Sequence, residues 1–314
     1  MRLSIFNSDT SWPIRVLVKT CLIVSIWNTI LLVIPPKITA GTNQRNDNVV
    51  RFEQYVFNPP DNALLIAGSS LAARLRASYF QSPEICNLSA GGGSALSILS
   101  VIAGMENNYP SAVLIEASHI LLERGIDYVQ TKKLTDLYNS SRQFLPKKAF
   151  PMLRASYQPS VIFLNMLMRF RHDEPQPEDK EGMIVKDGAG VELANTVMRN
   201  ILLQNLREKD FSAAQEQNAE LLGKILQVIQ SKGIQVIFFI MPVHSEIENT
   251  EACRNALKLL YEKFPETQYK WISHKNHAEF KTTDGVHLSA LSARSYTKFL
   301  EHKLINALQR KCNR

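Results

Sequence analysis

Short apolar runs alternate with longer amphipathic stretches over most of the chain. The runs 63–67, 84–88, 112–116, 235–240 and 269–272 predict buried strands. Helical periodicity predicts helices over 71–79, 94–106, 211–232, 246–263 and 290–308. Apolar strands separated by helices are typical of a parallel sheet that is covered on both faces. The pattern therefore predicts an α/β fold, a three-layer α/β/α sandwich.

A longer apolar segment precedes this pattern. Residues 16–34 are mostly apolar and are followed by Pro35 and Pro36. A helix of that length is about enough to cross the ~30 Å hydrocarbon core of a membrane. Arg2, Arg15 and Lys19 lie at or before its start, so the positive-inside rule predicts a cytoplasmic N-terminus over 1–15 and an exported remainder. The alternative is a cleaved signal peptide with Ala40 before the cut, but the length of the segment favours a retained anchor.

The rest of the chain divides by composition. Residues 35–55, polar over 41–48, predict a linker, and residues 56–314 predict one domain. The stretch 127–205 breaks the alternation and is interpreted as an insertion over the carboxyl ends of the strands. Its Met- and Phe-rich part, 160–170, predicts a helix that packs on the domain or lines a substrate groove, followed by a polar loop over 171–181.

Charge and cysteine content exclude several classes of function. The formal net charge of +7 is spread along the chain without the interleaved aromatic residues of a nucleic-acid groove, so no nucleic-acid partner is expected. The four cysteines contain no Cys-x-x-Cys pair, which argues against a structural zinc site. Cys253 and Cys312 could pair in an oxidising compartment, although their spacing does not demand it. No cofactor is predicted.

The first strand ends in a serine-containing turn, Gly68-Ser69-Ser70-Leu71. A small residue permits a sharp strand-to-helix turn that presents a hydroxyl at the mouth of a helix, which is a suitable place for a nucleophile. Ser70 is the preferred nucleophile, and Ser69 is the alternative, either as nucleophile or as helix cap.

Two further segments carry candidate chemistry. A glycine run over 91–93 follows the second strand and could aim backbone amides at an oxyanion; the lack of a following Lys-Ser/Thr disfavours a nucleotide phosphate loop. Asp284 and His287 stand before the last helix, where the carboxylate could orient the imidazole towards a serine. The alternatives are a capping Asp with an exposed His, or two metal ligands; without a clear further set of ligands, no metal is predicted.

Taken in chain order, these segments resemble the SGNH (GDSL-type) hydrolases, a family of α/β/α esterases and acyltransferases. Gly68-Ser69-Ser70-Leu71 is similar to the first block of that family, also in the form found in membrane-anchored envelope acylation proteins. Asn87 with Gly92 resembles the second block, and Asp284 with His287 resembles the last. The resemblance implies Ser70 as nucleophile, His287 as base, Asp284 as orienting acid, and the amides of Ser70 and Gly92 as oxyanion donors.

One block of the family pattern is absent. The family places Gly-x-Asn-Asp after the third strand, where this chain has Ala117-Ser118-His119-Ile120 without an asparagine. Either Ser118 or His119 replaces the asparagine, or the oxyanion hole rests on the amides of Ser70 and Gly92 alone. With the exported domain, the resemblance implies an esterase or O-acyltransferase acting on acyl esters, acetyl esters above all, of a cell-envelope or secreted polysaccharide. The partners it implies are an acylated glycan or small ester, the membrane and a membrane-bound acyl donor. The alternative is a non-catalytic, membrane-tethered binding or assembly protein with a degraded site. His244 follows the fourth strand and could reach the site, but the preferred interpretation is a histidine of a surface loop.

Overall fold

The computed structural model describes residues 11–36, 38, 41–106, 109–143, 149–170, 188–274 and 279–309. Its strands are β1 (Leu64–Ala67), β2 (Ile85–Asn87), β3 (Ala112–Glu116), β4 (Gln235–Phe239) and β5 (Lys270–Ile272). They form a parallel sheet in the order β2-β1-β3-β4-β5. The predicted α/β class with a parallel sheet is therefore confirmed.

Ten α-helices belong to the described residues. They are α1 (Ser11–Val33), α2 (Gln44–Phe57), α3 (Ala95–Ala103), α4 (Tyr128–Gln143), α5 (Pro159–Phe170), α6 (Gly188–Glu208), α7 (Ser212–Ser231), α8 (Ser245–Glu248), α9 (Glu251–Lys263) and α10 (Ala290–Gln309). The helix predicted over 246–263 is divided between α8 and α9, because the Thr250 hydroxyl accepts from the Cys253 N–H and starts a new helix there.

The prediction of an α-helix over 71–79 is wrong. This segment contains two 3₁₀ turns, Ala72–Arg74 and Ala77–Tyr79. The side-chain amide of Asn87 donates to the Ala72 carbonyl at 2.7 Å and to the Leu75 carbonyl at 2.6 Å. Because these carbonyls are held from the neighbouring strand, the backbone turns tightly instead of continuing as an α-helix.

The sheet is buried on both faces, because successive side chains of each strand enter two different apolar clusters. Leu65, Val113 and Phe238 belong to one cluster, which also contains side chains of α2, α3, α4, α7 and α9. Ile66 and Leu114 belong to the other, together with side chains of α6, α8, α9 and α10. This explains why the strands read as continuous apolar runs in the sequence.

The linker predicted over 35–55 is too long. Helix α2 begins at Gln44, capped by the Asn43 side chain, which accepts from the Asn46 N–H. Phe52 and Tyr55 are 2% and 3% exposed and belong to the first core cluster. The domain therefore includes α2, and the polar residues at its start form the first turn of a helix.

The insertion predicted over 127–205 is only partly placed over the carboxyl ends of the strands. Helix α4 packs beside α2 and α3, with Leu134 and Tyr138 in the first core cluster. Helix α5 packs near α1 through Val161 and Ile162. Helix α6 approaches the carboxyl ends through Arg199, next to Gly285. The polar loop 171–181 lies outside the described residues.

The N-terminal helix contains an apolar stretch, Trp12–Val33, most of which is not buried within the protein. This is long and apolar enough for a membrane anchor or a signal sequence. Near its end, Leu31 is buried with Ile38 and Val50, so the last turns of α1 pack on the domain.

Candidate functional site

Three loops meet where the strands end. They are the loops that follow β1, β3 and β4. After β1 the chain adds β2 on one side of β1 and then β3 on the other, so the direction of winding changes between β1 and β3. In open parallel sheets, ligands bind outside the carboxyl ends of the strands at such a reversal. Ser69 and Ser70 follow β1, and Glu116 ends β3, so both lie at this point.

Ser70, His287 and Asp284 form a continuous chain of hydrogen bonds. The Ser70 Oγ lies 2.9 Å from the His287 Nε2, although the two residues are 217 positions apart in the sequence. The His287 Nδ1 lies 2.6 Å from the Asp284 Oδ2. The side chains of His287 and Asp284 are 22% and 23% exposed, so the group is partly shielded yet open to a ligand. This is the arrangement of nucleophile, base and orienting acid that serine acyl transfer requires.

The loop that carries the acid and the base is organised by Asp284. Its Oδ1 accepts from the Val286 N–H at 3.2 Å and from the His287 N–H at 2.9 Å. Burial raises the pKa of Asp284, but the hydrogen bonds from the His287 imidazole and from the two backbone amides outweigh it and hold that pKa well below its usual value. The carboxylate is therefore ionised and can hold the imidazole in one tautomer.

Gly285 permits the sharp turn between these two residues. Its φ of +94° lies in the region that side chains rarely adopt. A Cβ there would lie 2.7 Å from the Ile247 Cδ1 and 2.9 Å from the Arg199 Cγ. Both the backbone conformation and the close packing by α6 and α8 therefore require glycine.

The turn that carries Ser70 is bound to the end of β3 by a buried carboxylate. Glu116 is fully buried. Its Oε2 accepts from the Ser69 hydroxyl at 2.9 Å and from the Ser69 N–H at 3.4 Å, and its Oε1 accepts from the Ser118 N–H at 2.9 Å. The Ser69 hydroxyl thus donates to Glu116, whereas the Ser70 hydroxyl contacts His287. The geometry therefore favours Ser70 over Ser69 as nucleophile.

Gly68 allows this close approach. A Cβ at Gly68 would lie 2.5 Å from the Ala72 Cβ and 2.9 Å from the Glu116 Cβ. These neighbours are rigid parts of the fold, so a side chain would force the serine turn away from β3.

The glycine loop after β2 lies beside the serine turn. The Ala90 N–H donates to the Gly68 carbonyl at 2.9 Å. The Asn48 side chain of α2 donates to the Gly91 carbonyl at 3.1 Å and accepts from the Gly91 N–H at 3.0 Å. A Cβ at Gly92 would lie 2.7 Å from the Gln44 Oε1, so the first turn of α2 supports this loop.

The geometry distinguishes between the predicted oxyanion donors. Within the described part of the chain, the N–H groups of Ser70 and Gly92 donate to no protein acceptor. Ser118 is different, because its N–H donates to Glu116 and its hydroxyl accepts from the Met241 N–H at 2.6 Å. The structure thus gives no support to Ser118 as an oxyanion donor; its hydroxyl instead joins the ends of β3 and β4.

Two further histidines lie near the site. Burial lowers the pKa of His119, the nearby Glu116 carboxylate opposes that shift, and His287 adds to it. The Nε2 of His119 lies 3.8 Å from the Cys253 Sγ. The His244 N–H donates to the Gly285 carbonyl at 2.7 Å, and its ring lies 3.3 Å from the Arg199 Nη1. His244 thus supports the loop of Asp284, and its ring faces α6.

Sequence reasoning missed four residues that support the site. They are Gln44, Asn48, Glu116 and Arg199. A charged residue closing an apolar strand was the available signal for Glu116, and Asn43 before a periodic apolar pattern was the signal for α2. Nothing in the local sequence places Arg199 beside Gly285.

The described residues contain no group of three or more His, Cys, Asp or Glu side chains arranged to hold a metal ion. Asp284 contacts the His287 imidazole through its Oδ2. Cys253 is a buried free cysteine, so the structure does not show the disulfide considered between it and Cys312, which lies outside the described residues.

Comparison with protein-family models finds no match, and comparison with curated protein sequences finds none either.

Proposed function

We propose that the protein is a serine esterase or O-acyltransferase of the SGNH type that acts on acyl esters through Ser70, His287 and Asp284. The observation that carries this proposal is the unbroken chain of contacts from the Ser70 Oγ to the His287 Nε2, at 2.9 Å, and from the His287 Nδ1 to Asp284, at 2.6 Å. An oriented base within hydrogen-bond distance of a serine is what activates that serine as a nucleophile.

The reaction has two steps. His287 takes the proton of Ser70 as the serine oxygen attacks the acyl carbon, and the N–H groups of Ser70 and Gly92 stabilise the negative charge on the carbonyl oxygen. His287 then gives this proton to the leaving alkoxide, and an acyl-serine remains. In the second step His287 takes a proton from water or a sugar hydroxyl as its oxygen attacks the acyl carbon, and then gives this proton to the Ser70 oxygen as the acyl–serine bond breaks.

The buried sheet with helical residues on both faces supports an SGNH-like three-layer sandwich. Helix α1 supports a membrane anchor, for which the expected topology places the domain on the extracytoplasmic side. We therefore propose O-acyl groups, acetyl above all, on cell-envelope or secreted polysaccharide as the substrate. A membrane-bound acyl donor is the proposed partner of the transferase form.

The second candidate function is a non-catalytic binding or assembly protein. It is favoured by Glu116, a carboxylate that can only accept hydrogen bonds when ionised, near the position where the family supplies an asparagine donor. Loss of one side-chain oxyanion donor typically lowers the rate by roughly 10²–10³.

Labelling with a fluorophosphonate probe distinguishes the two candidates. We expect covalent labelling of the wild type and of the control Ser231→Ala, which changes an exposed serine on α7, and none of Ser70→Ala. Ser69→Ala should keep labelling, at a reduced rate, because Ser69 contacts Glu116 rather than His287. An unlabelled wild type, or undiminished labelling of Ser70→Ala, would refute the proposed nucleophile.

Hydrolysis and transfer are separated by a second assay. An activated acetyl ester is supplied with and without a polysaccharide acceptor, and free acetate and acetylated glycan are both measured. Acetate release that is independent of the glycan identifies an esterase, whereas acetyl groups appearing on the glycan identify a transferase.

A further inference from the structure

The last turns of α1 are bound to the domain by polar and apolar contacts. The Asn28 side chain donates to the Ala149 carbonyl at 3.1 Å and accepts from the Met152 N–H at 3.5 Å. Leu31 is 2% exposed and packs with Val161 and Ile162 of α5. Because Asn28 precedes the end of α1 by about 7–8 Å along the helix axis, the contacting segments lie beside the apolar helix rather than beyond its end.

The segments that contact α1 also expose large apolar side chains. On α5, Phe163, Met166 and Leu167 are 62%, 48% and 42% exposed, at the spacing of one helix face. Phe150 and Leu153, in the segment that contacts Asn28, are about half exposed as well. Exposed apolar side chains that are concentrated next to a helix of membrane-spanning length indicate a surface that contacts protein or membrane rather than water.

This surface is firmly attached to the domain. Glu53 of α2 is 2% exposed, and its carboxylate accepts from the Ala155 N–H at 2.9 Å and from the Ser156 N–H at 2.8 Å. The first turn of the same helix supports the glycine loop of the site through Asn48. The position of the surface therefore determines the orientation of the site.

A groove of about 830 Å³ adjoins the surface between α2 and α4. Its lining includes Leu153, the exposed Lys132 and Lys133, and one exposed carboxylate, Asp136. Basic side chains beside exposed apolar ones are the combination that favours the boundary between anionic headgroups and acyl chains.

We propose that α5 and residues 150–153 lie in the interface of the bilayer that α1 crosses, with Phe163, Met166 and Leu167 among the upper acyl chains. The inference rests on the membrane anchor of the proposed function and not on its chemistry. The occupant of this surface is lipid, because the surface is continuous with α1 and interfacial helices lie about 5–10 Å deep, which matches the level of Asn28. The protein is thus attached to the bilayer by α1 and by one face of its domain.

Depth-dependent quenching tests this proposal on the full chain in nanodiscs of phosphatidylcholine and phosphatidylglycerol. With the four native cysteines replaced by alanine, single cysteines are introduced as Phe163→Cys on α5, Ile23→Cys within α1 and Val228→Cys on α7. All three positions are exposed, and α7 packs against α3 and α9, so Val228 is the matched control. Each is labelled with an environment-sensitive fluorophore, and its emission is compared in ordinary lipid and in lipid brominated on the acyl chains.

We expect the labels at Phe163 and Ile23 to lose most of their emission in brominated lipid and the label at Val228 to be unaffected. If the label at Ile23 is quenched and that at Phe163 behaves like Val228, α1 spans the membrane and the proposed contact of α5 is refuted. A blue-shifted but unquenched label at Phe163 means that a second copy or another protein covers α5, which also refutes it. An unquenched label at Ile23 means that α1 does not lie in the membrane, which refutes the membrane anchor itself. Fluorophosphonate labelling of Ser70 tests the chemistry independently.

Discussion

Replacing Glu116 tests whether a carboxylate beneath the nucleophile turn holds the site together. Glu116→Ala removes the acceptor of the Ser69 N–H, the Ser69 hydroxyl and the Ser118 N–H in a fully buried place. The hydroxyl can rotate to another acceptor, but the two amides cannot. At about 1–3 kcal/mol for each unsatisfied buried group, the free energy of unfolding falls by about 2–6 kcal/mol.

Glu116→Gln is the milder change. Its carbonyl oxygen can accept from the Ser118 N–H, and its amide can donate to the Ser69 Oγ, so the weaker contact with the Ser69 N–H, at 3.4 Å, is the one lost. We expect the free energy of unfolding to fall by about 1–2 kcal/mol. At roughly 2 °C per kcal/mol for a chain of this size, the Tm falls by about 2–4 °C for Gln and by about 4–12 °C for Ala.

Thermal unfolding followed by circular dichroism measures the stability, and the rate of fluorophosphonate labelling measures the position of Ser70. Labelling of the Gln variant should be slower than that of the wild type at a temperature where both are folded, since displacing a reacting group by about 1 Å can lower a rate roughly 10²-fold. Glu220→Gln, an exposed change on α7, is the matched control and should alter neither value. A Glu116→Ala protein with the Tm and labelling rate of the wild type would refute the reasoning.

Three further changes probe the loops around the site. Asp284→Asn should remove a contribution to stability that the wild type has above pH ~4, the usual pKa of a free Asp, and loses as the pH falls towards the depressed pKa of Asp284; unfolding curves of both proteins between pH 2 and 7 that change in parallel would contradict this. Gly285→Ala forces a side chain into a backbone with φ of +94° and should destabilise the protein by about 1–3 kcal/mol; Gly223→Ala, where a Cβ meets no atom within 4 Å, is the control, and equal Tm values for the two variants would contradict the strain argument. Gln44→Glu places a negative charge against Gly92 and should slow Ser70 labelling roughly tenfold relative to Gln44→Ala without a matching loss of Tm; equal rates would argue against Gly92 as an oxyanion donor.

The sequence predicted the central strands well because β1, β3 and β4 are buried on both faces and therefore mostly apolar. Helix α2 was missed because its first turn, from Gln44 to Asn48, is polar and resembles a linker, although Phe52 and Tyr55 belong to the core. The helix expected after Ser70 was wrong because the amide of Asn87, on another strand, holds the carbonyls of that segment. Local patterns cannot report such contacts between elements.

The sequence alone determined the parallel α/β fold, the apolar N-terminal helix, and the position of each candidate group at the end of a strand or in a short local motif. Asp284 and His287 are three residues apart, so their contact follows from one turn of chain. Only the tertiary structure decided that Ser70 and not Ser69 contacts His287, and that Glu116 accepts a hydrogen bond from the Ser69 hydroxyl. It also decided that the Ser118 hydroxyl joins the ends of two strands. The physical reason is that these contacts depend on which strands lie side by side, and a buried apolar run carries no information about its neighbour.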